Sequence, residues 1–195
     1  ETRERARGRT GLSMDELPSF LLFPNPQAED VLSFKRGTCD VCGKARDVMY
    51  KGPVYGGRVG EHDFNVCPWC IADGSAGARG LVFNDLGPVP FGHAAIKLPQ
   101  EEQELAERRT PGYVTWQGNH WMACCGHACV YLGEADREDL CGRWASGVPS
   151  MFEGEDRSQE EIDEIVNRVE RGGSVCAYVF QCRHCGQLRA YWDCD

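Results

Sequence analysis

The sequence has no long hydrophobic run, and none approaches the roughly 20 apolar residues that a helix needs to cross a bilayer. Residues 1–13 are charged and contain no apolar segment, so we expect no secretory signal. The Gly-rich segments 52–60 and 74–80 lack the Gly-Lys-Ser/Thr ending of a phosphate-binding loop, which argues against nucleotide binding. These absences predict a cytoplasmic protein that does not contact membranes.

Positive charge is also scarce. The chain carries 21 Lys and Arg residues against 30 Asp and Glu residues, a formal net charge of −9. Broad binding to a phosphate backbone needs clustered positive charge, so the composition argues against a nucleic-acid partner. An acidic chain suits a basic protein partner instead.

Cysteine, by contrast, is abundant, with twelve among the 195 residues. Three pairs have the Cys-x-x-Cys spacing, at 39 and 42, 67 and 70, and 182 and 185. Disulfides across such short loops are rare outside redox enzymes, and no export signal accompanies them. In a reducing compartment this pattern is typical of metal ligands.

The strongest signal is the set Cys39, Cys42, Cys67 and Cys70. Two pairs at this spacing can close a tetrahedral four-sulfur shell, which is the usual structural site of zinc. The alternative of four buried free thiols is disfavoured by the two regular spacings. A redox disulfide at Cys67-Pro-Trp-Cys70 is disfavoured because alternating strands and long helices, the usual frame of that chemistry, do not flank it.

A second zinc site is predicted from Cys125, Cys129, Cys182 and Cys185, with Cys124 and His127 as possible substitutes. The alternative is a set of buried thiols between the terminal hairpin and the aromatic segment. An open site with a histidine and a water would indicate catalysis, yet no general base is specified by the spacing. The remaining cysteines, 141, 176 and 194, are expected to be non-ligand thiols.

The predicted fold is a single small α+β domain over residues 17–195, with zinc-ribbon-like cysteine turns, short antiparallel hairpins and a few short helices. Segment 99–109 predicts a helix, because a proline and acidic residues begin it and arginines end it. Segment 158–171 predicts another, with a capping box and an apolar stripe. Segments 174–181 and 188–193 predict the two strands of a hairpin. Residues 1–16 are expected to be a disordered extension or a cloning remnant.

The helix predicted over 158–171 also carries most of a local excess of acidic residues. The usual explanation of such a face is contact with solvent. The sharper alternative is a surface for a basic protein partner such as a nuclease toxin. The candidate partner-binding residues are Glu160, Glu161, Asp163 and Glu164.

Several motifs resemble those of the CbrC family of bacterial proteins, which is named from a colicin-tolerance protein. They are spread over residues 18–195 and comprise Pro-Asn-Pro ending at 26, Tyr-x-Gly-Pro-x-Tyr at 50–55, Cys-Pro-Trp-Cys-Ile-Ala-Asp-Gly-Ser at 67–75, Arg-Thr-Pro-Gly-Tyr at 109–113, Cys-Cys-Gly-His-Ala-Cys at 124–129 and Phe-Gln-Cys-Arg-His-Cys-Gly at 180–186. The resemblance implies a cytoplasmic, zinc-bearing protein with a link to bacteriocin tolerance, and it supplies no active site.

These observations predict a non-enzymatic zinc-binding protein, with one or two Zn²⁺ ions, that confers tolerance or immunity to a bacteriocin or toxin by protein–protein binding. The first alternative is a thiol- or metal-dependent enzyme that uses Cys67-Pro-Trp-Cys70 or the second cysteine group. The second alternative is a zinc ribbon that binds nucleic acid.

Overall fold

The computed structural model describes residues 16–56, 64–87 and 98–195. Nearly all of the predicted extension 1–16, and the end of the Gly-rich loop before Phe64, lie outside these ranges. Short antiparallel hairpins and a few short helices make up the described chain, so the predicted α+β class is confirmed. Within these ranges, no helix is both long enough and apolar enough to cross a bilayer.

Eleven strands occur in the described ranges, and the first eight have two residues each. They are β1 (Leu32–Ser33), β2 (Gly37–Thr38), β3 (Ala45–Arg46), β4 (Met49–Tyr50), β5 (Tyr55–Gly56), β6 (Leu81–Val82), β7 (Ala123–Cys124), β8 (His127–Ala128), β9 (Val130–Ala135), β10 (Val175–Gln181) and β11 (Leu188–Cys194). The short strands pair as β1–β4, β2–β3, β5–β6 and β7–β8, and the last three form one antiparallel sheet in the order β11-β10-β9.

Six short α-helices connect and cover these strands. They are α1 (Pro68–Ala72), α2 (Ser75–Ala78), α3 (Gln100–Arg108), α4 (Arg137–Cys141), α5 (Val148–Met151) and α6 (Gln159–Arg168), with a 3₁₀ turn at Ala145–Gly147. Helix α3 occupies the predicted segment to within one residue at each end. Helix α6 begins behind the predicted capping box of Ser158 and Glu161 but ends three residues early, because Val169 is extended and buried.

The three-stranded sheet separates two hydrophobic clusters. Side chains alternate between the faces of a strand, and the central strand β10 is buried on both. Its residues Tyr178 and Phe180 belong to the larger cluster, which extends to the cysteine-rich half of the chain. Its residues Ala177 and Val179 belong to the smaller cluster beneath α4, α5 and α6. The helices therefore cover one face of the sheet, and the cysteine-rich half covers the other.

Buried aromatic rings fill the contact between the sheet and the cysteine-rich half. Tyr113 stacks on Tyr131 with ring centroids 4.4 Å apart, and its hydroxyl lies 2.6 Å from that of Tyr191. The Tyr113 hydroxyl also donates to the backbone carbonyl of His120. Buried hydroxyls need hydrogen-bond partners, and the Tyr113–Tyr191 hydrogen bond connects the 113–120 segment to strand β11.

Asp193, on β11, accepts three hydrogen bonds, two of which anchor the same segment. It is 1% exposed, and it accepts from the amides of Trp116 at 3.0 Å and Gln117 at 3.1 Å. Its other carboxylate oxygen accepts from the Tyr178 hydroxyl at 2.9 Å. Burial raises the pKa of Asp193, while these hydrogen bonds act against the rise. The carboxylate thus accepts hydrogen bonds from two backbone amides, those of Trp116 and Gln117, that would otherwise lack a partner.

We predict that Asp193→Ala lowers the free energy of unfolding by about 2–3 kcal/mol, because two amides and a hydroxyl lose their acceptor. Asp193→Asn is the matched control: its amide oxygen can accept from both backbone N–H groups, and its NH₂ can donate to Tyr178. The control is expected to lose less than about 1 kcal/mol in a chemical denaturation experiment. Equal losses in both variants would contradict the assigned role.

Candidate metal centres

The first cysteine turn, residues 39–42, closes the hairpin between β2 and β3. The Cys39 amide donates to the Lys44 carbonyl at 3.0 Å, and the Gly43 amide donates back to the Cys39 carbonyl at 2.8 Å. Gly43 has a φ of +69°, a conformation that glycine adopts without steric cost. The turn therefore presents Cys39 and Cys42 from one tight loop.

The second pair, Cys67 and Cys70, lies at the start of a helix. Val66 bridges antiparallel to Tyr50, and the chain then passes through Cys67 into helix α1, with Pro68 at its first position. One helical turn brings Cys70 back beside Cys67, and the Cys70 amide donates to the Cys67 carbonyl at 3.1 Å. The antiparallel bridge before Cys67 differs from the parallel β-strand frame of redox Cys-x-x-Cys enzymes.

The four sulfurs of the first cluster, Cys39, Cys42, Cys67 and Cys70, lie within 4.8 Å of one another. The Sγ–Sγ distances are 3.5 Å for Cys67–Cys70, 3.8 Å for Cys39–Cys70 and 4.0 Å for Cys42–Cys67. A tetrahedron with zinc–sulfur bonds of about 2.3 Å has edges of about 3.8 Å. The cluster therefore has the size that a tetrathiolate zinc site needs.

A third cysteine turn, residues 182–185, joins β10 to β11 and repeats the geometry of the first. The Cys182 amide donates to the Gln187 carbonyl at 2.9 Å, and the Gly186 amide donates to the Cys182 carbonyl at 3.0 Å. Gly186 has a φ of +73°. The Cys-x-x-Cys-Gly motif thus forms the same turn at two distant places in the chain.

The hairpin β7–β8 faces this third turn. Its two-residue loop, Cys125-Gly126, has φ values of +55° and +75°, the signature of the tight turn that suits twisted strand pairs. The loop places Cys124 and Cys125 next to each other at the tip, with sulfurs 3.7 Å apart. The Cys124 sulfur lies 3.8 Å from that of Cys185.

The second cluster therefore consists of Cys124, Cys125, Cys182 and Cys185. This set differs from the predicted one in a single residue: Cys124 takes the place of Cys129. The reason is the turn, since Cys129 follows the hairpin and its side chain is fully buried in the larger hydrophobic cluster. Burial raises the pKa of the Cys129 thiol to about 12.

The other suggested substitute, His127, lies beside the second cluster and outside the sulfur set. Its ring stacks on that of His184, with centroids 6.0 Å apart. The predicted non-ligand cysteines, Cys141, Cys176 and Cys194, also lie outside both clusters. All twelve cysteines fall in the described ranges, and all are free thiols there.

Each cluster contains one thiol with a lowered pKa. Burial opposes ionisation of Cys42, but hydrogen bonds from the Lys44 amide and the neighbouring thiols lower its pKa to about 7. Burial likewise opposes ionisation of Cys182, but the Cys185 and His184 amides donate to its sulfur and lower its pKa to about 6. Thiolates are the metal-binding form of cysteine, so one ligand in each cluster is available near neutral pH.

Glu102 on helix α3 braces the second cluster and was not found from the sequence. Its carboxylate accepts from the Ala128 amide at 2.9 Å, contacts His127 Nδ1 at 3.1 Å and pairs with Arg183 at 2.6 Å. Arg183 also donates to the Ala128 carbonyl at 3.1 Å. One carboxylate thus ties α3 to both cysteine-bearing arms. In the sequence, it was only one of several acids opening a predicted helix.

The four candidate partner-binding acids on α6 are all exposed. Glu161 completes the capping box with Ser158, and Asp163 accepts from Gln159 at 2.8 Å. Two of the four thus have a local role in the helix.

We predict that Glu102→Ala weakens metal binding at the second cluster by about 10- to 100-fold, because residues that orient metal ligands typically contribute this much. Competition with a chromophoric zinc chelator measures both sites, and the first cluster should be unchanged. Glu104→Ala is the matched control, since Glu104 is an exposed residue of the same helix that accepts a hydrogen bond from Gln100 at 2.8 Å. Equal weakening of zinc binding in both variants would contradict the bracing role.

Residues 17–194 match the model of a family described as an uncharacterised protein family, UPF0167. A UPF0167 protein of Pseudomonas aeruginosa is 37% identical over 183 residues, which cover 92% of this chain and 97% of that protein. UPF0167 proteins of Mycobacterium bovis and Mycobacterium tuberculosis are each 32% identical over 184 residues, covering 91% of this chain and 94% of theirs. No solved structure matches the chain.

These matches correct the assignment to the CbrC family that the sequence motifs suggested. The family model and the relatives carry the name UPF0167, and none of their descriptions mentions colicin tolerance or immunity. With a match over 17–194 and a relative that is 37% identical across nearly the whole length, the chain belongs to the uncharacterised bacterial family UPF0167.

Proposed function

We propose that this chain is a zinc-binding protein in which each of the two cysteine clusters holds one Zn²⁺ ion. The observation that carries the proposal is the sulfur spacing of 3.5–4.0 Å in the first cluster, which fits the edges of a zinc tetrahedron. Sulfur-only ligand sets select zinc or iron over magnesium, calcium and manganese.

The ligand sets favour a structural role for the metal over a catalytic one. Four protein sulfurs complete the preferred coordination of zinc, so no position stays open for a water or a substrate. The thiolates must also remain reduced, which supports a reducing compartment such as the cytoplasm. The proposal is therefore a non-enzymatic protein whose fold depends on zinc.

We further propose that the protein acts by binding another protein with a basic surface. The net charge of −9 supports such a partner and argues against nucleic acid. Glu160 and Glu164 are exposed on α6, the helix that packs over the smaller hydrophobic cluster and contains no residue of the two cysteine clusters. Partner binding and zinc binding would thus occupy different parts of the molecule.

Purified without chelators, the protein is expected to contain about two zinc ions per chain by elemental analysis. Cys67→Ser should remove one ion and abolish cooperative unfolding, because the first cluster connects the short hairpins. Cys141→Ser, which changes an exposed cysteine outside both clusters, should retain both ions. Less than half an equivalent of zinc, with reactive cysteines in the folded protein, would contradict the proposal.

The partner proposal is tested with the double variant Glu160→Lys/Glu164→Lys. Wild-type protein immobilised at low salt is expected to retain a basic host protein, and the double variant is expected to lose it, because interactions between exposed charges are screened by salt and reversed by the substitutions. Glu101→Lys/Glu104→Lys, at two exposed positions of helix α3, changes the net charge by the same amount and is the control. Retention that is insensitive to salt and to both variants would rule out this acidic face.

A further inference from the structure

The two cysteine clusters differ in their access to solvent. In the first cluster, Cys39, Cys67 and Cys70 are at most 2% exposed, and Cys42 is its single exposed sulfur, so no second accessible thiol lies beside it for a disulfide. In the second cluster, only Cys182 is buried. Its other members, Cys124, Cys125 and Cys185, are half-buried or exposed. A dissolved oxidant must reach a sulfur atom to react with it, so the second cluster is the more vulnerable of the two.

Geometry favours one pair of sulfurs in the second cluster for disulfide formation. Cys182 is buried, and its sulfur accepts hydrogen bonds from the amides of His184 at 3.4 Å and Cys185 at 3.5 Å. This sulfur is therefore less accessible to an oxidant than the others. Cys124 and Cys125 are adjacent in sequence, and a disulfide between neighbours closes a strained eight-membered ring. Cys185 is exposed, and its sulfur lies 3.8 Å from that of Cys124 on the opposite arm.

We propose that the second cluster is an oxidation site, in which hydrogen peroxide converts Cys124 and Cys185 to a disulfide and zinc is released. This inference rests on the proposed zinc occupancy. The first cluster loses its ion more slowly under the same treatment and maintains the fold meanwhile. The second cluster thereby gives the protein an oxidised state that differs from the reduced one in a single cross-link and a single metal ion.

The reaction proceeds in two balanced steps. The Cys185 thiolate attacks one peroxide oxygen, the O–O bond breaks, and the departing hydroxide takes a proton to become water, leaving a sulfenic acid. The Cys124 thiolate then attacks the sulfenic sulfur, the S–S bond forms, and the S–O bond breaks. The departing hydroxide takes a second proton and becomes water. Two thiolates lose two electrons, peroxide gains them, and zinc loses two of its four ligands.

The brace formed by Glu102 keeps this change local. Its bonds to the Ala128 amide and to Arg183 connect the hairpin arm to the third cysteine turn without the metal. The two arms therefore stay together when zinc leaves, and Cys124 and Cys185 remain placed for reduction and for zinc rebinding. The oxidation should be reversible for this reason.

The test treats the zinc-loaded full-length chain with increasing hydrogen peroxide in the presence of a zinc-sensitive dye. One zinc ion per chain is expected to appear at least about tenfold faster than the second, as the difference in sulfur exposure requires. Alkylation and peptide mapping at that point should identify a disulfide between Cys124 and Cys185, with Cys39, Cys67 and Cys70 unoxidised. A thiol reductant and added zinc should restore the starting state.

Two variants provide controls. Cys141→Ser removes an exposed cysteine outside both clusters and should leave the rate of zinc release unchanged. Cys185→Ser should abolish the disulfide. Because this variant also removes a zinc ligand, the peptide map of the wild-type protein carries the result whether or not Cys185→Ser folds.

Equal release rates for the two ions, release first from the first cluster, or release without a disulfide between Cys124 and Cys185 would each overturn the inference. All three outcomes require two bound zinc ions at the start and therefore leave the proposed function standing. Absence of zinc before peroxide is added would instead overturn the proposed function, and the inference with it.

Discussion

Closure of two four-sulfur clusters is the constraint on which the rest of this structure depends. Eight of the eleven strands in the described ranges contain two residues, and isolated hairpins of that size have little stability in water. The first cluster joins the β2–β3 turn to the start of α1, and the second joins the β7–β8 hairpin to the terminal sheet. We infer that metal–sulfur bonds supply the cross-links that longer strands and larger helices provide in other small domains.

The three-stranded sheet connects the cysteine-rich half to the smaller hydrophobic cluster under the helices. Its central strand is buried on both faces, with tyrosine and phenylalanine toward the cysteine-rich half and alanine and valine toward the helices. The third cysteine turn lies at one end of this strand, and Asp193 anchors the 113–120 segment near the other end of the sheet. Folding of the sheet and assembly of the second cluster should therefore depend on each other.

Local patterns in the sequence predicted much of this architecture and part of the site. The capping box at Ser158 and the charges of α3 identified two helices, and regular Cys-x-x-Cys spacing identified the first cluster, because these signals act over a few residues. The choice of Cys124 over Cys129 depends on a two-residue turn with positive φ angles at Cys125 and Gly126, and no local rule required a turn there. The role of Glu102 has no local sequence signal for a different reason: it arises only when segments distant in sequence come together.

X-ray absorption at the zinc edge tests the central claim most directly, because it reports the type, number and distance of the atoms bound to the metal. The protein purified without chelators is predicted to show a first shell of four sulfurs per zinc at about 2.3 Å, averaged over both sites. A first shell that contains nitrogen or oxygen at about 2.0–2.1 Å would contradict closure by cysteine alone and would reopen a catalytic role for the second cluster.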